Sequence, residues 1–254
     1  MISFSEETTQ MGIGAPKYMS GLGKAVLVLL LGTATALAAE NFVVESVQAP
    51  TDAPLQTDPT SAFWRAALPA YLERDKQGKI TSHFCSEVRA RWTKDNLYFL
   101  FICPYEELHL KPSPTILQET NELWNWDVAE VFISSDFNDI RHYQEFEVSP
   151  QGEWIDLDID LRTPHHEDGW TWNSGFVVSA RTDARNHRWY AAMRIPLSAI
   201  DTRSPAAGIE FRLNLFVSEG PLANHHVMTW QPTMSNTFHM PERFGRLRLV
   251  SEKR

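Results

Sequence analysis

From Phe84 onward the apolar positions recur mostly at every second residue in short runs, and each run ends in a cluster of turn-forming residues. The pattern predicts strands near residues 84–92, 96–103, 127–134, 142–149, 153–159, 175–182, 187–195, 209–217, 226–231 and 244–250. Ten strands with almost no helical periodicity predict an all-β chain, an antiparallel β-sandwich of jelly-roll or immunoglobulin-like type. Only Ser61 to Leu72 reads as a short helix, and Pro69 interrupts it. Residues 39–60 carry Pro50, Pro54 and Pro59 and little periodicity. They predict an extended lead-in, with Phe42-Val43-Val44 as an edge strand. No internal repeat or long linker divides the remaining chain, so residues 61–254 are expected to form one domain.

One hairpin can be read to the residue. Val88, Ala90 and Trp92 alternate on one strand, Leu97, Phe99 and Phe101 on the next, and Thr93-Lys94-Asp95-Asn96 is the turn between them. Placing both apolar sets on one face pairs Trp92 with Leu97 and Val88 with Phe101. That register sets the two cysteines, Cys85 and Cys103, on opposite faces, which predicts that they are not bonded to each other.

The first 38 residues have a different pattern. Lys24 precedes the apolar run Ala25-Val26-Leu27-Val28-Leu29-Leu30-Leu31, and the small residues of Ala36-Leu37-Ala38 come after it. This is the layout of a secretory signal peptide spanning residues 1–38, with cleavage after Ala38, and the run is too short to cross a bilayer unaided. Export predicts a periplasmic or extracellular protein with no membrane insertion after cleavage. The net charge of −9 argues against nucleic acid and anionic membrane surfaces as partners and favours neutral or cationic ligands.

Candidate chemistry starts in the stretch from Asn121 to Ile133. Val128, Ala129, Val131, Phe132 and Ile133 predict a buried strand, and Glu130 stands inside it. A buried carboxylate needs a cation, a hydroxyl group or water. Six residues upstream, Trp124 offers a flat apolar ring. Ring and acceptor together suit a sugar, whose apolar faces stack on an indole while its hydroxyls donate to a carboxylate. A core Trp beside a salt-bridged Glu is the alternative from the same residues.

Other acidic and histidine groups are less pointed. Asp156, Asp158 and Asp160 share one strand face at a spacing of roughly 6.4–6.8 Å, too wide for one calcium ion without a turn, and predict a solvated face. Glu145 and Glu147 also share a face and point the same way, which suits binding or solvation better than the facing carboxylates of a glycosidase. The pairs His165–His166 and His225–His226 lack zinc-ligand spacing. No nucleophile elbow, phosphate loop or dinucleotide fingerprint occurs, so no catalytic residue is assigned. Nine tryptophans exceed ordinary core needs, and Trp230 sits where a strand is expected to run into a loop.

Several of these motifs converge in order and spacing: Leu97-Tyr98-Phe99, Trp126 to Ile133, Tyr143 to Gly152, Phe211-Arg212-Leu213-Asn214, Trp230, and Pro241-Glu242-Arg243-Phe244-Gly245. From Phe63 to Val250 the chain resembles the family 9 carbohydrate-binding modules and their family-9-like relatives. The resemblance implies a non-catalytic β-sandwich, often associated with glycoside hydrolases, that clamps a sugar at a chain end between two tryptophans. It assigns Trp124 and Trp230 as the rings, Glu130 as the hydroxyl acceptor, and an oligo- or polysaccharide as the partner. Calcium is structural in some members, and the metal ligands here stay unassigned. Two other classes compete with this reading: a haem-binding electron carrier on a similar sandwich, with His239 or Met240 as axial ligand, and a glycoside hydrolase or its accessory subunit.

Overall fold

The computed structural model describes residues 42–81 and 84–252. The expected signal peptide, residues 1–38, lies outside the described residues.

Twelve strands form in chain order: β1 (Val43–Gln48), β2 (Pro69–Leu72), β3 (Ser86–Trp92), β4 (Asn96–Pro104), β5 (Val128–Ser134), β6 (His142–Val148), β7 (Trp154–Asp160), β8 (Val177–Asp183), β9 (Arg188–Pro196), β10 (Glu210–Glu219), β11 (His226–Thr229) and β12 (Gly245–Val250). All ten strands expected from the alternation are present, with ends shifted by a few residues at most. Hydrogen bonding runs in the order β7-β6-β5-β10-β12-β1-β3-β4-β9-β8, with β11 on β10 and β2 on β3. The path folds into a β-sandwich. One layer is β7-β6-β5-β10, the other is β3-β4-β9-β8, and β12 and β1 join them.

Between the layers lies the main core. Ala129, Val131 and Ile133 of β5, Phe146 and Val148 of β6, and Phe211, Leu213, Leu215 and Val217 of β10 meet Leu97, Phe99 and Phe101 of β4 and Trp189, Ala191, Met193 and Ile195 of β9. These positions alternate along every strand, so the opposite residues of each strand face outward. On β4 the outward set, Tyr98, Leu100 and Ile102, is buried as well, because Trp64 and Ala67 pack against it and its β9 neighbours Tyr190 and Ala192.

Three expectations are corrected. The helix expected over Ser61–Leu72 reduces to one turn, α1 (Ala62–Arg65), capped by Ser61, and Pro69 instead opens β2 at the margin of β3. Proline is tolerated there because it begins the strand. The lead-in is part of the sandwich, and β1 is no edge strand: it lies parallel to both β12 and β3, with Val44 and Val47 buried. Asp52 then accepts hydrogen bonds from Thr93, Asn96 and Tyr98, fastening the segment after β1 to the β3–β4 hairpin. The acidic face of β7 is only partly solvated, since Asp156 is fully buried and accepts from the backbone and hydroxyl of Ser174.

The hairpin register is as expected, with Trp92 opposite Leu97 and Val88 opposite Phe101. Both cysteines are free, Cys103 in the core and Cys85 partly exposed. Among the described residues no helix is long and apolar enough to cross a membrane.

Candidate functional site

The outward face of the β7-β6-β5-β10 layer carries a second apolar cluster, formed by Leu123, Val128, Phe132, Tyr143, Ile155, Leu157, Ile159, Phe216 and Val227. Strand register arranges this face in cross-strand rows. One row reads Ile155, Glu147, Glu130, Phe216, and the next reads Leu157, Glu145, Phe132, Asn214. Three glutamates therefore stand among aromatic and aliphatic neighbours on a single surface. Each of the three is at most 4 % exposed.

Above these rows a cleft of about 400 Å³ opens, lined by Trp124, Glu130, Phe132, Glu145, Ser218 and Phe238 with Glu122, His166, Glu167, His225 and His239 around them. Two of the three residues expected at the site, Trp124 and Glu130, share this cleft. Trp230 does not. It is 8 % exposed and belongs to the core between the layers, where its ring meets Phe42 edge-on at 6.3 Å. The backbone N–H of Trp230 donates to the Leu215 carbonyl, so the residue continues the β11 edge inward rather than entering a loop. A ring enclosed in that way has no face to offer a ligand.

Trp124 is held by its neighbours in sequence. Glu122 takes a left-handed conformation and leads into a single 3₁₀ turn, Leu123–Asn125, whose first residue is fully buried in the outer cluster. Leu123 thus anchors the turn, and Trp124 is left half-buried beside the cleft. The next residues fix its exit. Trp126 stacks on His109 at 4.7 Å. The Asp127 carboxylate accepts from the backbone N–H groups of His109 and Gly220, tying together three segments at the mouth of β5.

The opposite wall comes from two irregular segments. A six-residue 3₁₀ helix, His166–Thr171, lies directly on β7. Its Gly169 packs so closely on the Asp158 carbonyl that any side chain would collide with it, so glycine is what lets the helix bring His166 over the floor. The segment before β12 sends Phe238 edge-on against Phe216 and stacks His239 on Phe132. Burial and the neighbouring His166 hold His239 down to about pH 4, while burial pushes the Tyr143 hydroxyl far above its ordinary range. Tyr143 therefore keeps its proton and shares a hydrogen bond of 2.5 Å with His239 Nδ1. This contact engages Nδ1 of His239, one of the two residues weighed as haem ligands beside Met240.

The floor is acidic and poorly compensated. Ser218 donates to Glu130 Oε1 at 2.8 Å. Oε2 of Glu145 and both carboxylate oxygens of Glu147 find no hydrogen-bond donor in the rest of the protein, and the two carboxyl groups have only each other. Burial first, and then in Glu130 and Glu147 the nearby carboxylates, hold all three above the ordinary carboxylate range. The expectation that Glu145 and Glu147 share a face holds, but that face is buried rather than solvated.

Sequence reasoning missed most of the walls. Ser218 is implied by the register, since it lies two residues beyond Phe216 on the same face of β10. Phe238, His166 and Glu167 sit in irregular segments that no periodicity places. Each histidine pair is split: His166 and His225 line the cleft, while His165 is exposed and His226 stacks on Phe84.

Residues 59–252 match the family model described as carbohydrate family 9 binding domain-like. The chain is similar to a solved carbohydrate-binding module of family 9 from Caldicellulosiruptor kristjanssonii in complex with cellotriose. The TM-score is 0.59 and the identity 13 %, over 84 % of this chain and 95 % of the other. A second structure of a family 9 module from that organism, in complex with glucose, gives a TM-score of 0.57 at 13 % identity over 82 % and 97 %. At this identity the likeness is one of fold. A protein of Arthroderma benhamiae named "Extracellular protein" is 24 % identical over 169 residues, 62 % of this chain and 70 % of that one.

Proposed function

Because the chain belongs to the carbohydrate family 9 binding domain-like family, we propose that it is an exported, non-catalytic carbohydrate-binding protein that takes the end of a glycan chain into the cleft beside Trp124. The observation that carries this reading is the meeting of Trp124 and Glu130 in one cleft on the outer sheet face. An indole supplies an apolar plane for the C–H face of a pyranose, and Glu130 supplies an acceptor for its hydroxyls. Phe238 provides apolar surface across the cleft in the place that the buried Trp230 does not fill. Walls on several sides favour a chain end over the side of a long polymer, which would need an open platform. Holding such ends would serve carbohydrate catabolism, alongside the enzymes that cleave them.

The geometry supports binding over hydrolysis. Glycosidases place two carboxyl groups on opposite sides of the scissile bond. Here Glu130, Glu145 and Glu147 project from one sheet face in adjacent rows, so all approach a ligand from the same side. Export is supported by the Ala36-Leu37-Ala38 cleavage pattern and by the name of the Arthroderma relative.

A glycan array probed with the chain from Ala39 onward, followed by calorimetry with glucose and gluco-oligosaccharides, tests the proposal. Saturable binding to a defined set of glycan ends is expected, with no release of reducing sugar. A folded protein that binds nothing on the array, or that shortens its ligands, would overturn it.

A further inference from the structure

The three glutamates under the cleft have more charge than the protein answers. Glu130, Glu145 and Glu147 come from two neighbouring strands, and a carboxylate oxygen from each lies within 4.8 Å of the others. Ser218 gives Glu130 a hydroxyl donor. Among the described residues no Lys, Arg or His forms an ion pair with any of the three. A cation whose charge acts on Glu130 is Lys76, whose ammonium is already bound to the Asn236 carbonyl and lies 4.9 Å from the centre of the Phe238 ring. Glu147 is the decisive member. It is fully buried, faces the other two, and neither oxygen has a partner outside the three glutamates.

Unpartnered buried carboxylates are costly, and natural structures retain them where a ligand completes them. We propose that Glu130, Glu145 and Glu147 form a binding site for a divalent cation, with calcium as the preferred ion. The donor set is all oxygen, with no imidazole or thiolate among the three, which selects a hard cation over zinc or copper. The spacing also fits. Two oxygens on opposite sides of a calcium ion stand about 4.6–5.2 Å apart, and adjacent ones stand closer. Two positive charges against three carboxylates leave a small residual charge, which Ser218 and the cleft's solvent can accommodate. Glu130 and Glu145 also line the cleft proposed for the glycan, so the cation is titrated without sugar, and Trp124, which is no ligand to it, separates the two readings.

Calorimetry and thermal melts of the chain from Ala39 onward, stripped with chelator and titrated with calcium, magnesium or manganese chloride without glycan, test the site. One calcium per chain and a melting temperature raised by several degrees are expected, with magnesium at least tenfold weaker. Glu147→Gln keeps the shape of the side chain and removes one charge. It should melt in chelator at or above the temperature of the unsubstituted chain and bind calcium at least tenfold more weakly. Trp124→Ala should keep calcium binding, which separates this site from the glycan reading. A folded protein unaffected by millimolar calcium, or a Glu147→Gln variant that binds it unchanged, would overturn the site.

Discussion

The six-membered ring of Trp230 lies against Gly245 so closely that a Cβ at that position would stand 2.6 Å from both Cη2 and Cζ3 of the indole. Gly245 opens β12 opposite Leu213 of β10, and the same Cβ would stand 2.9 Å from the Phe42 carbonyl oxygen, while the Phe42 ring meets the indole edge-on. Glycine is needed for the close approach of a ring. Gly245→Ala should therefore destabilise the fold by about 1–3 kcal/mol, as overpacking does in a filled core. A urea titration measures it, and an unchanged midpoint would mean that the ring shifts freely.

Trp230 and Trp124 should separate cleanly under substitution. Trp230→Ala removes a core ring and should cost about 3–5 kcal/mol of stability, while molecules that remain folded keep their glycan affinity. Trp124→Ala should leave the melting temperature nearly unchanged and weaken glycan binding by roughly 2 kcal/mol, about thirtyfold. Paired melts and calorimetry decide between them. A Trp230→Ala protein of normal stability and lost affinity would put the clamp where the sequence suggested.

Burial and Glu145 push Glu130 up to about 8, so above that pH Glu130→Gln keeps the side-chain volume and the Ser218 contact and removes a charge. Its glycan affinity should fall by about 1–2 kcal/mol, the worth of a charge-assisted hydrogen bond to a sugar hydroxyl. The loss should not exceed that of Trp124→Ala. Calorimetry in excess calcium chloride and again in chelator keeps this effect apart from cation binding.

The strands were legible because each lies between a buried and an outer face, so alternation marks them. The β3–β4 register came from the same rule, and it kept Cys85 from Cys103. Trp124 and Glu130 were legible as a pair because they are close in sequence and the strand fixes where Glu130 points. Trp230 was misplaced because a tryptophan at a strand end reads alike whether the chain turns inward or outward. What decides it is Gly245, a partner fifteen positions away whose lack of a side chain carries no periodic signal. The burial of Glu145 and Glu147 was hidden for a related reason: a strand shows which residues share a face, but the cover over that face comes from irregular segments carrying His166 and Phe238.

The two cysteines should report the hairpin register directly. With Cys103 fully buried and Cys85 partly exposed, a thiol reagent should label Cys85 alone in the folded chain and both after unfolding. Burial and the carboxylates near each thiol push both above the ordinary thiol range, so labelling of Cys85 should be slow at neutral pH. Mass spectrometry of the non-reduced digest checks the pairing, and a peptide linked through both would overturn the register.

Stability should fall toward both ends of the pH range, through different residues. His239 has a folded value near 4, held down by burial and His166, against about 6.5 when unfolded. A depressed value favours the fold above pH 6.5, and that contribution is lost as pH falls toward 4, because the unfolded chain takes up the proton first. Glu219 is shifted the other way, pushed up to about 8 by burial and by the neighbouring Asp127 carboxylate. Its contribution is complete below about pH 4.5 and is lost as pH rises through 8, where the folded state must also ionise. Each group can change stability by at most about 1.4 kcal/mol per pH unit within its window. Urea titrations from pH 4 to 9 in chelator should show His239→Gln flattening the acid limb and Glu219→Gln flattening the neutral-to-alkaline limb. Proton and nitrogen resonances of His239 should stay those of a neutral ring, protonated at Nε2, down to about pH 5. A His239 that titrates near 6.5 would show that the Tyr143 hydrogen bond and the packing over Phe132 do not persist in solution.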